Sequence, residues 1–324
     1  MAEQIQYREA IVTFIDILGF EDMIINYGEN EIYEILQLFH SQYSQNSLSN
    51  HAKLGRTYTS EVYFFSDSVV RVKYTDYEDL WLNTATDEVI SLAVIQLELL
   101  KRNIHIRGGC TKGMIYSDSS SNILFGPALN EAYKIESELS VYPRIVISED
   151  VMGDYFKDMS STISWIKNDG GTNREIKLKT TKPKYTNKGW KKDARILKLK
   201  YDKSLKDQWF INHFWGPATF YIDELSLSKN FYDQMQILHC KNELESFIEI
   251  CLSLFENYNR LIEIEDTNER IKIKYLWCRF QLHETIKDIY EWVVGFKLSP
   301  LINQDVLRRL AELSELFFNR YTLK

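Results

Sequence analysis

Short apolar runs alternate with helical patterns in the first half of the chain, and long helical patterns fill the second half. Residues 11–20 begin with an apolar run of strand length that leads to Asp16 and then to Gly19. Residues 61–72 contain two β-rich runs around a Ser-Asp-Ser tip, which predicts a hairpin with Asp67 at its turn. Each of these two acids therefore lies where an apolar strand ends.

Apolar residues recur at helical spacing between the predicted strands. The pattern predicts three helices and two further strands, over residues 20–45, 87–102 and 126–139 and over residues 104–116 and 144–147. The resulting order, βαββαβαβ, is typical of a ferredoxin-like core in which helices cover one face of a largely antiparallel sheet. We expect the other face of this sheet to remain free to meet a partner.

A lysine-rich segment, residues 174–206, separates this region from a helical second half. We expect the segment to form an edge hairpin whose lysines oppose aggregation, with nucleic-acid binding as the alternative. Helical periodicity then covers residues 232–264 and 269–296, and a last helix is predicted after Pro300. The aromatic and leucine positions of these helices are typical of core packing.

Composition narrows the class of protein further. The 324 residues are 44% hydrophobic with a net charge of −7, which favours a globular protein and argues against a nucleic-acid partner. We divide this length into an α+β domain, residues 8–206, and a helical region, residues 207–324.

The sequence has neither a recognisable leader nor a window apolar enough for a membrane span, so we expect a cytoplasmic protein with no membrane partner. The four cysteines lack metal-site spacing and are expected to be buried and unpaired.

A third motif combines an amide and a cation on one helix face. Pro127 suits the first turn of a helix, and Asn130 and Lys134 follow at a four-residue spacing. The two acids, Asp16 and Asp67, supply the hard oxygen ligands that Mg²⁺ and Mn²⁺ prefer. Together these residues indicate a site for a nucleotide and its divalent ions.

Four motifs in this order resemble the catalytic domain of class III nucleotidyl cyclases. They are the Phe-x-Asp-x-x-Gly-Phe strand end, the Asp hairpin, the Arg-x-Gly-x-x-x-Gly strand and the Phe-Gly helix with its asparagine, containing Asp16, Asp67, Arg107 and Asn130. The resemblance implies a ferredoxin-like class III cyclase catalytic core with a C-terminal all-helical extension. It also implies an enzyme that forms a 3′,5′-cyclic nucleotide and pyrophosphate from a nucleoside triphosphate.

The resemblance implies a role for each matching residue. Two divalent ions, Mn²⁺ or Mg²⁺, would be bound by Asp16, Asp67 and the carbonyl of Ile17. The phosphates would be contacted by Phe14, Gly19 and Phe20. Asn130 would orient the ribose. Lys134 would neutralise charge on the α-phosphate, although it lacks the bidentate fork of the arginine usual in the family.

Two positions depart from the pattern of purine cyclases. In adenylate cyclases a lysine and an aspartate read the adenine edge, and here the matching positions are Tyr63 and Ile123. The bulky phenol of Tyr63 would shrink the pocket and favour a one-ring base. In this respect the chain resembles the pyrimidine cyclases of the Pycsar anti-phage defence system, which make cyclic UMP or cyclic CMP for a separately encoded effector. We expect UTP ahead of CTP as the substrate.

Cyclases of this class use composite sites, in which one subunit supplies the metal acids and the other supplies the asparagine, the cation and the base-reading residues. This chain contains both sets, so we expect a homodimer with two sites. Tyr63 and Asp67 share a hairpin and would nevertheless serve opposite sites. Three alternatives stay open: a purine cyclase, a degenerate cyclase-like nucleotide sensor, and a nucleic-acid-binding protein. The lysine that grips the triphosphate is not assigned, with candidates at Lys177, Lys179 and Lys198.

Overall fold

The structure is a computed structural model that describes most of the first half of the chain and the helices of the second. The described residues are 5–46, 60–75, 84–154, 196–199, 208–211, 213–214, 234–264, 268–295 and 298–315. Contacts divide the chain into two compact units, Met1–Asn212 and His213–Lys324. This division lies close to the expected boundary between residues 206 and 207.

Among the described residues of the first unit, seven strands form one sheet in the order β2-β3-β1-β4-β6-β8-β7. An eighth strand, β5, pairs with β4 alone. The strands are β1 (Arg8–Ile17), β2 (Glu61–Phe65), β3 (Ser68–Tyr74), β4 (Ile106–Asp118), β5 (Ile123–Phe125), β6 (Ile145–Ile147), β7 (Ile196–Leu199) and β8 (Gln208–Ile211). Among these strands, β4 and β6 form the one parallel pair.

The first four strands have the order β2-β3-β1-β4, in which β1 lies between two antiparallel partners. Helical crossovers lead from β1 to β2 and from β3 to β4, as in a ferredoxin-like core. β1 takes the central place because its apolar residues are buried on both faces, with Ile11 and Ile15 on one and Ala10 and Val12 on the other. The predicted α+β class is confirmed.

Three helices cover the face of the sheet that includes Ile11 and Ile15. They are α1 (Phe20–Asn26), α2 (Glu29–Asn46) and α3 (Thr84–Leu100). The single helix predicted over residues 20–45 is wrong in one respect, since the helix is interrupted. Tyr27 adopts an extended backbone conformation that ends α1, and α2 begins after Gly28.

A fourth helix, α4 (Pro127–Lys134), lies on the opposite face of the sheet and continues into a π-helical turn (Ile135–Leu139). Its Ala128 and Ala132 pack in a second core together with residues of β1, β3 and β4. The expectation of one free face is therefore wrong where α4 covers β1 and β4. The single α-helix predicted over residues 126–139 is likewise an α-helix followed by a π-helical turn.

Two glycines of β4 allow α4 to approach the sheet this closely. A Cβ added at Gly109 would lie 2.2 Å from the carbonyl oxygen of Ala132, and one added at Gly113 would lie 3.3 Å from the Cβ of Ala128. The four-residue spacing of the glycines along β4 thus matches the four-residue spacing of the alanines along α4. These small residues explain why the helix and the sheet are nearly in backbone contact.

A buried ionic network lies between the sheet and α3. Arg71 donates from Nε and Nη2 to the two carboxylate oxygens of Glu88, at 3.0 and 2.9 Å. Lys73 pairs with Glu88 at 3.0 Å and also with Asp87, and the Thr13 hydroxyl donates to Glu88 at 2.9 Å. Burial by itself would raise the pKa of Glu88, but the charges of Arg71 and Lys73 outweigh it and lower the pKa to about 2.

The second unit is helical in its described residues, which confirms the predicted C-terminal helices, although the strand β8 (Gln208–Ile211) lies within residues 207–324, which were expected to be helical. It contains α5 (Gln234–Glu263), α6 (Glu269–Gly295) and α7 (Gln304–Glu315), whose buried apolar residues pack against one another. Cys251 and Cys278 of this unit, like Cys110 of the sheet, are buried free thiols. None of the helices in the described ranges combines the length and apolar character needed to cross a membrane.

Most of the lysine-rich segment, including Lys177 and Lys179, lies outside the described residues. Lys198 belongs to β7, which is the last strand in the sheet order and pairs antiparallel with β8. Lys198 is paired in register with Trp209. The assignment of a triphosphate-binding lysine stays a prediction.

Candidate active site

Asp16 and Asp67 come together where the end of β1 meets the tip of the β2–β3 hairpin. The backbone N–H of Ile17 donates to the carbonyl oxygen of Asp67 at 3.1 Å. Asp16 is paired in register with Ser68, whose hydroxyl donates to Asp16 Oδ1 at 3.0 Å. Antiparallel pairing of β1 with β3 therefore places the two acids side by side, although fifty residues of chain separate them along the sequence.

A guanidinium group from the neighbouring strand lies beside this acid pair. Arg107 of β4 is paired in register with Asp16, and its Nη2 and Nε lie 3.2 and 3.3 Å from Asp16 Oδ2. The same Nε lies 2.7 Å from Oε1 of Glu136, in the π-helical turn after α4. Arg107 thus bridges an acid at the end of β1 and an acid below α4.

The position of Glu136 was not among the predicted site residues. It continues the stripe of Ala128 and Ala132 at four-residue spacing, so an acid occupies a position that the helical period assigns to the sheet-facing side. That mismatch between residue type and position is the sequence signal for a buried, paired carboxylate. Glu136 is 2% exposed, in agreement with this position.

The electrostatics of the site disfavour negative charge on its acids. Burial, together with the charge of Asp67, raises the pKa of Asp16 above its ordinary value, and the hydrogen bonds from Ser68 and Arg107 oppose this shift. Burial also raises the pKa of Glu136, and the charge of Arg107 opposes that shift. A cation bound by Asp16 and Asp67 would stabilise the ionised forms of both carboxylates.

The donor set fits a divalent cation that completes its coordination with phosphate oxygens. In the part of the chain that is described, no three His, Cys, Asp or Glu side chains are grouped so as to hold a metal by themselves. Two carboxylates are sufficient for Mg²⁺ or Mn²⁺ when substrate phosphates and water supply the remaining oxygens. Asp16 and Asp67 together with Arg107 and Glu136 leave a net negative charge when all four groups are ionised, which suits a divalent ion.

The predicted phosphate-contacting residues follow and precede Asp16 on the chain. Gly19 has a φ of 82°, a left-handed conformation that glycine adopts at little cost, and it directly precedes α1. Phe20 begins that helix and is buried in the core between the sheet and helices α1 to α3. Phe14 lies on the face of β1 that α4 covers. Its ring packs edge-on against the ring of Tyr133 of α4, with 5.3 Å between the ring centroids. Gly19 and Phe14 thus lie on either side of Asp16 in sequence, and their contact with phosphates stays a prediction.

Asn130 and Lys134 are exposed on the outer side of α4. Among the described residues, no hydrogen bond or ion pair joins either of them to Asp16 or Asp67. Within one chain, no described hydrogen bond or ion pair therefore joins the two predicted half-sites. Their predicted roles at the site of a second copy stay predictions.

The two predicted base-contacting residues differ in their surroundings. Tyr63 is 2% exposed, packs in the second core, and donates its hydroxyl to Glu61 at 2.9 Å. Burial raises the pKa of Tyr63, and the contact with Glu61 adds to this shift while Ser117 opposes it. Ile123, in β5, is 46% exposed. Within one chain the ring of Tyr63 is a core side chain, and the side chain of Ile123 is open to solvent.

Comparisons with known proteins find similarity only among solved structures. No family model and no curated protein matches the chain. It is similar to the guanylyl cyclase Cya2 (12% identity, TM-score 0.38, 64% of this chain and 93% of that chain). It is similar to the adenylyl cyclase CyaB from P. aeruginosa (13%, 0.40, 64% and 95%). A third is the guanylyl cyclase domain of the RhoGC fusion protein from the aquatic fungus Blastocladiella emersonii (18%, 0.38, 63% and 95%). Because these TM-scores are below 0.5, the function has to be inferred from the residues of this chain.

Proposed function

We propose that this chain is a nucleotidyl cyclase, which joins the 3′-oxygen of a nucleoside triphosphate to its own α-phosphorus and releases pyrophosphate. The observation that carries the proposal is the meeting of Asp16 and Asp67 at one strand end beside Arg107. The 3′-hydroxyl gives its proton to water and its oxygen bonds to the α-phosphorus, while the bond between the α-phosphorus and the bridging oxygen breaks and pyrophosphate leaves with the electron pair. Positioning and charge neutralisation dominate the catalysis of such a phosphoryl transfer.

Two divalent ions, Mg²⁺ or Mn²⁺, would lower the pKa of the 3′-hydroxyl and offset the charge of the triphosphate when they are bound. Asp16, Asp67 and the carbonyl of Ile17 would hold them. Phosphate contacts come from the backbone that flanks Asp16. Asn130 orients the ribose, and Lys134 neutralises charge on the α-phosphate.

The proposed enzyme works as a homodimer. Asn130 and Lys134 are exposed on α4 and have no described contact with the acids of their own chain, which supports their service at the acids of a second copy. Each dimer then contains two composite sites. The cyclic nucleotide would act as a second messenger for a separately encoded antiviral effector. This role rests on the motif resemblance. It predicts that the chain protects host cells against phage.

A pyrimidine triphosphate, with UTP ahead of CTP, is the proposed substrate. The lysine and the aspartate that read adenine in the family are replaced by Tyr63 and Ile123, so a purine loses two polar contacts. Tyr63 acts in this proposal through the volume of its ring, because its hydroxyl is already donated to Glu61. A smaller pocket favours a one-ring base.

The proposal is tested by incubating the purified chain with each of ATP, GTP, CTP and UTP in the presence of Mn²⁺, with products resolved by mass spectrometry. Cyclic UMP, or cyclic CMP, is the expected product. Asp67→Ala should abolish it, and Asp150→Ala, which removes an exposed acid outside the site, should not. Product from ATP or GTP alone would overturn the base preference and leave the cyclase in place. An absence of cyclic product from all four triphosphates would overturn the cyclase itself.

A further inference from the structure

Arg107 contacts its two acid partners unequally. Its Nε lies 2.7 Å from Glu136 Oε1, whereas its contacts to Asp16 Oδ2 are 3.2 and 3.3 Å. The Glu136 side chain is 3% exposed, and the Asp16 side chain is 17% exposed. Both hydrogen bonds of the guanidinium go to one oxygen of Asp16, Oδ2, whereas the close approach of Glu136 to Nε is an ion pair without a hydrogen bond, so Arg107 is shared between the two acids.

The fold brings Glu136 to this position through a glycine. A Cβ added at Gly109 would lie 2.7 Å from the backbone nitrogen of Glu136. Gly109 lies two residues after Arg107 on the same face of β4, since both are paired in register with residues of β1 that face α4. The π-helical turn is thus pressed against the strand that carries Arg107, and π-helical turns are frequent at functional sites.

We propose that Glu136 is a positioning residue, which draws Arg107 aside so that the carboxylate of Asp16 stays available to a divalent cation. The inference rests on the proposed function, because it assigns a task to Glu136 at the same site. Arg107 contacts only the Oδ2 atom of Asp16, and without the charge of the Glu136 carboxylate its guanidinium would be free to turn onto both oxygens of Asp16. A bidentate guanidinium–carboxylate pair would then compete with the metal for the same oxygens.

The charge of Glu136 acts in the same direction at longer range. A negative charge near Asp16 favours cation binding at the site whether or not Arg107 moves. The two effects are separable, because only the first of them requires the guanidinium. A double substitution that removes both groups leaves Asp16 without a competing cation.

The test measures Mn²⁺ binding to the full chain without nucleotide. Electron paramagnetic resonance monitors the concentration of free Mn²⁺. Glu136→Gln should weaken binding about tenfold, the usual scale for a residue that supports a metal ligand. The double variant Glu136→Gln/Arg107→Gln should recover most of that loss. Glu138→Gln, an exposed acid in the same π-helical turn, is the matched control and should bind as the unmodified chain does.

Turnover supplies a second readout. With the cyclase substrate at saturation, Glu136→Gln should need about tenfold more Mn²⁺ to reach half of its maximal rate, while the maximal rate itself changes less. A purely structural role would instead lower the thermal unfolding temperature and leave the Mn²⁺ requirement unchanged. If Glu136→Gln fails to fold, Arg107→Gln alone still tests the idea, because it should bind Mn²⁺ at least as tightly as the unmodified chain.

The inference is overturned if Glu136→Gln binds Mn²⁺ normally, or if the double variant stays as weak as the single one. Either result leaves the proposed cyclase in place, provided that Asp16→Asn abolishes Mn²⁺ binding. If the unmodified chain shows no Mn²⁺ binding that depends on Asp16 either without nucleotide or with a nucleoside triphosphate present, the metal site itself is wrong, and the inference fails together with it.

Discussion

Asp16 is an acid whose ionised form is disfavoured by its surroundings in the folded chain. Burial first, and then the charge of Asp67, raise its pKa above the ordinary value. An acid with a raised pKa in the folded state destabilises the fold when it is ionised at neutral pH. Binding sites commonly carry such a cost.

We therefore expect Asp16→Asn to abolish turnover without lowering stability. At pH 7 the unfolding temperature should be equal to or above that of the unmodified chain, and any gain should vanish as the pH falls below the ordinary carboxyl range. Mass spectrometry of the product and thermal unfolding followed by circular dichroism measure the two effects. A marked loss of stability at pH 7 would show that Asp16 supports the fold instead.

Glu88 lies at the opposite electrostatic extreme, because its ionised form is stabilised in the fold. Glu88→Gln breaks a buried pair with Arg71 and should cost about 3–5 kcal/mol of unfolding free energy. The matched control is Glu98→Gln on the same helix, which removes a half-exposed ion pair with Lys101 and should cost less than about 1 kcal/mol. Urea unfolding of the two variants provides the comparison, and equal losses would contradict it.

The low pKa of Glu88 also predicts a direction for the effect of pH. Burial raises this pKa, but Arg71 and Lys73 lower it to about 2 from an ordinary value of 4.5. The stabilisation by Glu88 is therefore complete above pH 4.5 and is lost as the pH falls toward 2. The difference in unfolding free energy between the unmodified chain and Glu88→Gln should shrink over that window and stay constant above it.

At the scale of elements, the contact between α4 and β4 is made almost by backbone alone. Gly109→Ala would place a methyl group 2.2 Å from the carbonyl oxygen of Ala132, so the helix must move outward. We expect a loss of about 1–3 kcal/mol in unfolding free energy and a fall in turnover, because Asn130 and Lys134 move with the helix.

Gly153→Ala is the control for this substitution. Gly153 lies in the helical residues 149–154, and a Cβ added there meets no atom within 4 Å. Alanine in a helix is favoured over glycine, so stability should rise by about 0.5–1 kcal/mol with turnover unchanged. Denaturant unfolding of both variants measures the contrast. A Gly109→Ala variant as stable as the unmodified chain would mean that α4 is free to shift.

The sequence pattern predicted the order of the elements well, because apolar periodicity records which residues each element buries. It did not predict that α4 would lie on the face of the sheet opposite to α1, α2 and α3. The spacing of Gly109 and Gly113 indicates a helix contact only when it is compared with the spacing of Ala128 and Ala132. The pairing of Arg107 with Glu136 was missed for the same reason. Such pairs depend on how elements pack, and local patterns do not contain that information.

At the scale of the whole molecule, the residues proposed for catalysis divide into two groups, and among the described residues no hydrogen bond or ion pair joins them within one chain. Asp16 and Asp67 lie at a strand end, whereas Asn130 and Lys134 are exposed on α4. Two inactive chains with complementary losses should therefore restore activity when they form a mixed dimer.

We expect equal amounts of Asp67→Ala and Asn130→Ala, unfolded and refolded together, to recover about a quarter of the normal turnover. Half of the randomly formed dimers are mixed, and each of these contains one intact site out of two. Each variant refolded alone is the control and should stay inactive. If the mixture stays inactive while sedimentation shows dimers, the sites are not shared between subunits.

The burial of Tyr63 has a consequence for any attempt to change the base preference of the proposed cyclase in the laboratory. Its ring is wedged among the aliphatic side chains beneath α4, and its hydroxyl is tethered to Glu61. Exchanging it for the lysine that the resemblance to adenylate cyclases assigns to this position would insert an ammonium group into an apolar interior, at a cost of several kcal/mol. Engineers would have to rebuild the neighbouring interior first, so under the proposed function the preference for a base is constrained by the capacity of the chain to fold.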